Sequence, residues 1–249
     1  MSTIDLSQVP LPSDTVGLLE GIASTRAVRR YRDEPVPDDV LRAVLFAATR
    51  APSGSNRQPF RFVVLRDGPK AAQAKALIGE GARRAWGSKR RSDGYDSGSG
   101  TVDDSPKARM ARTMEAYVGG FEQSPVLILP CLVRYREPVP TEGASVYPAC
   151  QNLLLAARAL GYGGVLTGWH GTCEAELKEL LGISPEVFMA ATITLGRPVG
   201  RHGRVRRRPM SELVYEDDWG SAPRWAVDPP GTAFTAAGPP KAQAEGSAR

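Results

Sequence analysis

Histidine and cysteine are nearly missing from this sequence of 249 residues. There are two histidines, His170 and His202, and three cysteines, Cys131, Cys150 and Cys173. The cysteines lie far apart with no Cys-x-x-Cys spacing, which argues against a zinc site and against a disulfide framework. The histidines are also distant from each other and lack His-Glu-x-x-His spacing, so a catalytic metal is poorly supported. His170 reads as a structural or pocket-lining residue rather than a base. No Gly-x-Ser-x-Gly appears, which argues against an α/β-hydrolase. No Gly-x-Gly-x-x-Gly follows a first strand and no P-loop pattern is present, which argues against both kinds of nucleotide cradle. No uncharged run reaches the roughly 18 residues that span a bilayer. The first residues, MSTIDLSQVPLPSD, have no basic stretch followed by an apolar one, so no signal peptide is read. With so few reactive side chains, difficult chemistry would fall to a cofactor.

What is present is a globular composition, 41% hydrophobic, with an excess of arginine and a formal charge of +5. The hydrophobic content suits one large domain rather than disorder. Together with the sparse cysteines it suggests a reduced, cytoplasmic protein. The basic residues gather at 26–32, RAVRRYR, and at 201–208, RHGRVRRR. Guanidinium forks match phosphate oxygens. Two separated clusters without an aromatic platform favour a phosphorylated small molecule over nucleic acid. A solvated or nucleic-acid-binding patch at 201–208 stays open as the alternative.

Apolar spacing predicts a first helix of about a dozen residues, capped by Asp14 and ending near Ser24 and Thr25. Its apolar positions are Val16, Leu18, Leu19 and Ile22. A second helix starts at Asp38 and is stopped by Pro52. Phe60–Leu65 reads as a strand, and residues 69–91 as a helix that turns basic at its end. Residues 92–105, SDGYDSGSGTVDDS, read as a flexible loop, either a tolerated insertion or a lid. A helix follows at 106–122, then a buried strand at 125–133. The run 144–160 is apolar all round, which predicts a buried helix ended by Gly161, Gly163 and Gly164. A short strand at 165–167, a helix at 174–181 and a strand at 188–195 complete the pattern. Helices outnumber the few strands, which suggests one sheet covered by helices on its faces. The expected organisation is an extension at 1–13, a single domain at 14–225 and a Pro/Gly/Ala-rich, disordered tail at 226–249.

Three stretches carry a resemblance: Arg26-Ala27-Val28-Arg29-Arg30-Tyr31, Pro52-Ser53-Gly54-Ser55-Asn56-Arg57-Gln58-Pro59, and Gly161-Tyr162-Gly163-Gly164-Val165-Leu166-Thr167-Gly168. In this order and at these separations the chain resembles the FMN-dependent nitroreductase family, from about residue 20 to about residue 220. The resemblance implies an α+β fold: a mostly antiparallel central sheet, helices on both faces, and an intertwined homodimer with exchanged C-terminal arms. The segment 210–225 would form the arm. It also implies FMN, with NADPH or NADH as reductant and a small aromatic acceptor such as a nitro compound or quinone. Neither nucleic acid nor membrane is expected as a partner.

By the same resemblance, Arg26 and Arg29 would sit near the ribityl phosphate. Thr25 and Ala27 stand where many relatives have Arg and Ser, so backbone N–H at Ala27 would contribute there. Arg206 and Arg208 are the favoured members of the Arg206–Arg208 run for that same phosphate. Pro52, Ser53, Gly54, Ser55, Asn56 and Gln58 would cover the flavin of the partner subunit. Leu166, Thr167 and Gly168 would bring backbone N–H near flavin N5, with no catalytic side chain required. Trp169 either lines the pocket or packs in the core. Other chemistries on the same fold remain alternatives: flavin fragmentation to a benzimidazole, reductive dehalogenation and azoline oxidation.

Overall fold

The computed structural model describes residues 10–201 and 203–235. The N-terminal residues 1–9, His202, and the end of the Pro/Gly/Ala-rich tail from residue 236 on lie outside the described residues. The chain forms two compact units, Met1–His202 and Gly203–Arg249.

The first unit is built on a sheet of β1 (Phe60–Leu65), β2 (Val126–Leu132), β3 (Gly163–Thr167), β4 (Phe188–Met189) and β5 (Thr192–Gly196). The order is β1-β2-β5-β3, with β4 also pairing β2, and every pairing is antiparallel. Among the described residues six helices accompany it: α1 (Leu18–Ser24), α2 (Asp38–Thr49), α3 (Pro69–Ser92), α4 (Pro106–Gly119), α5 (Tyr147–Ala159) and α6 (Glu174–Leu181).

The pleat of β2 explains the layering. Val126, Ile128 and Leu132 join one core with Val40, Leu41 and Val44 of α2 and Cys150 and Leu153 of α5. Leu127, Leu129 and Cys131 join a second core with Ala74 and Ile78 of α3, Tyr117 of α4 and Leu177 of α6. Successive residues point to opposite faces, so a strand buried on both faces must be apolar throughout. The sheet thus carries helices on both faces, as the pattern predicted.

Four local expectations change. The first helix begins at Leu18 after Gly17, not at Asp14. Thr15 donates both its N–H and its hydroxyl to the Ala159 carbonyl at the end of α5, which holds the chain in a bend before the helix. Leu18, Leu19 and Ile22 are exposed rather than buried, Leu19 by 81%. Helix α5 starts only at Tyr147 and buries one face, through Ala149, Cys150, Leu153 and Ala157. Gly163 and Gly164 belong to β3, and only Gly161 (φ 78°) acts as the left-handed stop.

The strand expected at 188–195 is broken. Pairing with β2 shifts by one residue between Cys131↔Met189 and Ile128↔Ile193. The extra residue makes a bulge opposite Pro130, whose carbonyl accepts from Ala190 N–H at 2.8 Å. Pro130 has no N–H to return on that side, and the bulge absorbs the missing donor.

The segment at 92–105 is more ordered than a plain flexible loop. It holds a 3-10 turn at Gly98–Thr101, and Tyr95 packs edge-on against Trp86. The second unit contains a 3-10 turn at Met210–Glu212 and a bridge between Arg207 and Phe234, with no longer helix or strand among its described residues.

Candidate functional site

The segment 26–32 runs extended past the end of the sheet. Val28 N–H donates to the Gly164 carbonyl at 3.0 Å, Arg32 N–H to Arg197 O at 2.8 Å, and Val199 N–H to Arg30 O at 3.0 Å. Glycine at 163 and 164 makes this approach possible. A Cβ on Gly163 would lie 2.7 Å from Val28 Cγ2, and one on Gly164 would lie 2.4 Å from the Thr194 carbonyl oxygen.

Tyr31 pins the segment to β5. Its hydroxyl lies 2.6 Å from Val28 O and 2.8 Å from Thr194 Oγ1, and Tyr117 reaches the same Thr194 oxygen at 2.6 Å. One donor order satisfies all three contacts: Tyr117 donates to Thr194, Thr194 to Tyr31, and Tyr31 to the Val28 carbonyl. Burial pushes the Tyr117 phenol up to about 12 and raises Tyr31 well above its ordinary value. Both are therefore neutral at pH 7.

Two cavities lie along the segment. The larger, about 490 Å³, is lined by Arg29, Arg30, Tyr31, Arg32, Asp33 and Tyr117, together with Ala116, Gly120, Gln123 and Ser124. The smaller, about 340 Å³, takes Arg26, Val28 and Arg32 and residues around Gly161–Gly164. Arg26 and Arg29, expected at one phosphate, thus line different cavities. Arg29 carries a feature of its own: its Nε is buried with no hydrogen-bond partner. A charged donor left so in a polar cavity is costly unless a ligand supplies the acceptor.

Leu166, Thr167 and Gly168 end β3. Leu166 and Gly168 are exposed, and a Cβ on Gly168 would meet nothing within 4 Å. The backbone here is open to a flat ligand. The next residue, Trp169, packs its ring 5.4 Å from Tyr117 and 5.7 Å from Phe121, which settles it as a packing residue. The 167–169 turn is thereby tied to a wall of the larger cavity. His170 is buried beneath it. Its N–H donates to Thr192 Oγ1 at 3.2 Å, and desolvation lowers its pKa. That is a structural histidine.

The loop at 52–58 is built differently. Ser55, Asn56 and Gln58 have φ of 50°, 50° and 49°. Three non-glycine residues in the left-handed region within four positions carry backbone strain, which accumulates where a structure presents a site. Gln58 N–H donates to Ser53 Oγ at 2.9 Å, and Gly54 N–H to Ser145 Oγ at 3.2 Å. Arg57 lies over the Tyr135 ring at 4.6 Å. Pro52 and Gly54–Gln58 are exposed. A Cβ at Gly54 would have ordinary contacts only, so nothing within this chain demands glycine there. Among the described residues the loop reaches Ser145, Tyr135 and Arg61, not the arginine segment.

In the second unit Arg208 is paired with Glu212, at 2.5 Å, and Arg206 is exposed. The sequence did not single out Tyr117, Thr194, Gln123 or Ser124. Their polar tips are ordinary in a helix or strand, and only the folded sheet brings them to the cavity. The three cysteines are buried and free, and burial raises the thiols, Cys131 to about 11 and Cys150 to about 12. They are not nucleophiles at neutral pH. Among the described residues no cluster of His, Cys, Asp or Glu could hold a metal ion, and no helix is long and apolar enough to cross a membrane.

Comparison with known proteins places the fold. A protein of Archaeoglobus fulgidus, provisionally named NADH dehydrogenase/NAD(P)H nitroreductase, is 29% identical over 185 residues, 72% of this chain and 84% of the relative. The iodotyrosine deiodinase of Hydra vulgaris is 25% identical over 204 residues, 78% of this chain and 70% of that protein. Among solved structures, a provisionally named nitroreductase from Desulfovibrio desulfuricans in complex with FMN superimposes with a TM-score of 0.59. It is 29% identical, and the match covers 81% of this chain and 97% of that one. The sequence profile of the nitroreductase family matches residues 22–197, from α1 through β5, and the chain belongs to that family.

Proposed function

We propose that this protein is an FMN-dependent NAD(P)H oxidoreductase that reduces nitroaromatic or quinone-type acceptors. The observation that carries the reading is the larger cavity: Arg29 lines it and keeps a buried guanidinium nitrogen without a partner, and the Trp169–Tyr117 contact ties the 166–168 backbone to its wall. A volume of about 490 Å³ falls within the range of cofactor sites. FMN, if bound there, would supply the redox chemistry, a ping-pong hydride transfer through N5 between NAD(P)H and a flat acceptor.

The chain's own residues bind and orient. Arg29 and the backbone N–H of Ala27 hold the phosphate, with Arg26 on the far side of the same segment. Leu166, Thr167 and Gly168 offer open backbone beside the reactive edge. The loop Pro52, Ser53, Gly54, Ser55, Asn56 and Gln58 serves the flavin of a second subunit, which accounts for its backbone strain and its exposure. Arg206 and Arg208 are kept as phosphate ligands on the family resemblance alone. No residue around the cavity is asked to shuttle protons, since Tyr31 and Tyr117 stay protonated. Water supplies them.

A homodimer with exchanged arms follows from this reading. It is supported by the bare apolar residues of α1 and by Trp219 in the 210–225 arm, 94% exposed. The three buried thiols suit a cytoplasmic setting. The loop at 92–105 lines neither cavity, so the lid reading has no support beyond its length. The test is direct. Purified protein should carry flavin absorbance, bleach anaerobically with NADPH or NADH, and recover colour when a nitroarene or quinone is added. Colourless protein that takes up no FMN would end the proposal. The deiodinase likeness favours one second reading, reductive dehalogenation, which iodide release from 3-iodotyrosine under reducing conditions would reveal.

A further inference from the structure

The smaller cavity is not needed by the flavin reading beyond Arg26, yet it is the more highly charged of the two. Five arginines line it: Arg26, Arg32, Arg158, Arg197 and Arg201. Among the described residues only Arg197 holds a carboxylate, Glu34 at 2.5 Å. Acidic side chains are absent from the lining. Gathering that many like charges in one concavity opposes folding unless an anion returns the energy.

Two of the guanidiniums are also positioned. Arg158 donates from Nε to Ser24 Oγ at 2.9 Å, and the Ser24 hydroxyl is itself anchored on Glu20 O at 2.6 Å. That fixes the base of the Arg158 fork and leaves its terminal nitrogens for another acceptor. Arg197 is held over the Tyr162 ring at 4.7 Å and donates to the Tyr162 hydroxyl at 3.0 Å. The remaining wall is apolar or bare backbone: Val28, Leu154, Pro198 and the glycines 161, 163 and 164. Held arginine forks beside a small apolar wall suit a compact polyanion with a short carbon part.

We propose that this cavity binds a pyrophosphate-bearing small molecule, at a site separate from the flavin. The larger cavity has a different lining, with Arg32 the one residue common to both. The proposal does not depend on the flavin reading, because the arginines and their anchors stand whichever ligand fills the larger cavity.

The experiment is calorimetric titration of the full-length protein, loaded with whatever flavin it retains, with inorganic pyrophosphate and separately with ADP. One site per chain is expected, weakened by added salt. Arg158→Ala and, as a surface variant that leaves α5 intact, Arg201→Ala should each weaken binding about tenfold, the loss of one charged hydrogen-bond donor. Flavin absorbance should be unchanged in both. Tighter binding of ADP than of pyrophosphate identifies a nucleotide as the occupant, and equal binding identifies the free anion. Three results overturn the proposal: no binding of either probe, binding that both variants leave intact, or release of flavin as the probe binds. The last would show that the probe had occupied the flavin's own phosphate seat. Colourless protein that still binds pyrophosphate would sink the flavin reading and leave this one standing.

Discussion

The arginine segment and the 52–58 loop are both polar stretches beside the sheet, and they are finished to different degrees. Segment 26–32 is closed by its own chain: backbone bonds to Gly164, Arg197 and Val199, and the Tyr31–Thr194–Tyr117 relay. What it leaves over is one buried nitrogen of Arg29. The loop at 52–58 keeps three strained residues and an exposed row of short polar groups, with few internal partners. A wall is made where the chain satisfies itself, and a contact surface where it leaves groups unsatisfied. The difference separates residues that should cost stability from residues that should cost binding.

The sharpest way to break that division is at the wall. Gly164→Ala places a methyl 2.4 Å from the Thr194 carbonyl oxygen, backbone that cannot move aside. We expect a loss of about 3 kcal/mol or more, read as a fall in the urea midpoint at constant slope. Gly168→Ala meets nothing within 4 Å and should leave that midpoint unchanged. Equal effects at the two glycines would remove the distinction between wall and surface.

The loop should answer in the opposite way. Asn56→Gly accepts the φ of 50° without strain and deletes the side chain with its one exposed bond, from Gln58 Nε2 at 3.2 Å. Stability should hold or rise by a few tenths of a kcal/mol, while flavin retention after dialysis falls about tenfold. Normal flavin content in that variant would take Asn56 out of the site. The bulkier Asn56→Leu should lose flavin too, with an added strain of about 1 kcal/mol.

The smallest effect concerns His170, buried against Thr192. Its folded pKa is lowered by desolvation, so between that value and the unfolded value near 6.5 the unfolded chain binds more protons. Stability should therefore fall as pH drops below about 6.5. His170→Asn should flatten that slope by less than about 1 kcal/mol between pH 6.5 and 5. An unchanged slope would mean that the imidazole is solvated.

Much of this was legible in the residues. The apolar run at 125–133 gave the central strand, and the order of the three motifs gave the family. The parts that were not legible depend on partners distant in sequence. Asp14 is a sound cap by composition, but Thr15 is captured by Ala159. The run at 188–195 looks like one strand, because only its pairing with Pro130 reveals the bulge. Arg26 and Arg29 look alike in sequence, and the extended segment sends them to different cavities. Thr194 joins Tyr31 and Tyr117 across 163 and 77 residues, a junction no local pattern encodes.

The two margins of the sheet carry unequal risk. On the outer side of β3, Val28 already occupies the Gly164 carbonyl. On the outer side of β1, among the described residues, no backbone bond beyond the β1–β2 ladder engages Phe60–Leu65. A bare six-residue margin of Phe, Val and Leu recruits any extended chain that passes, with Arg61 as its only charge. Misassembly of this protein, when production outruns pairing, should therefore begin at β1.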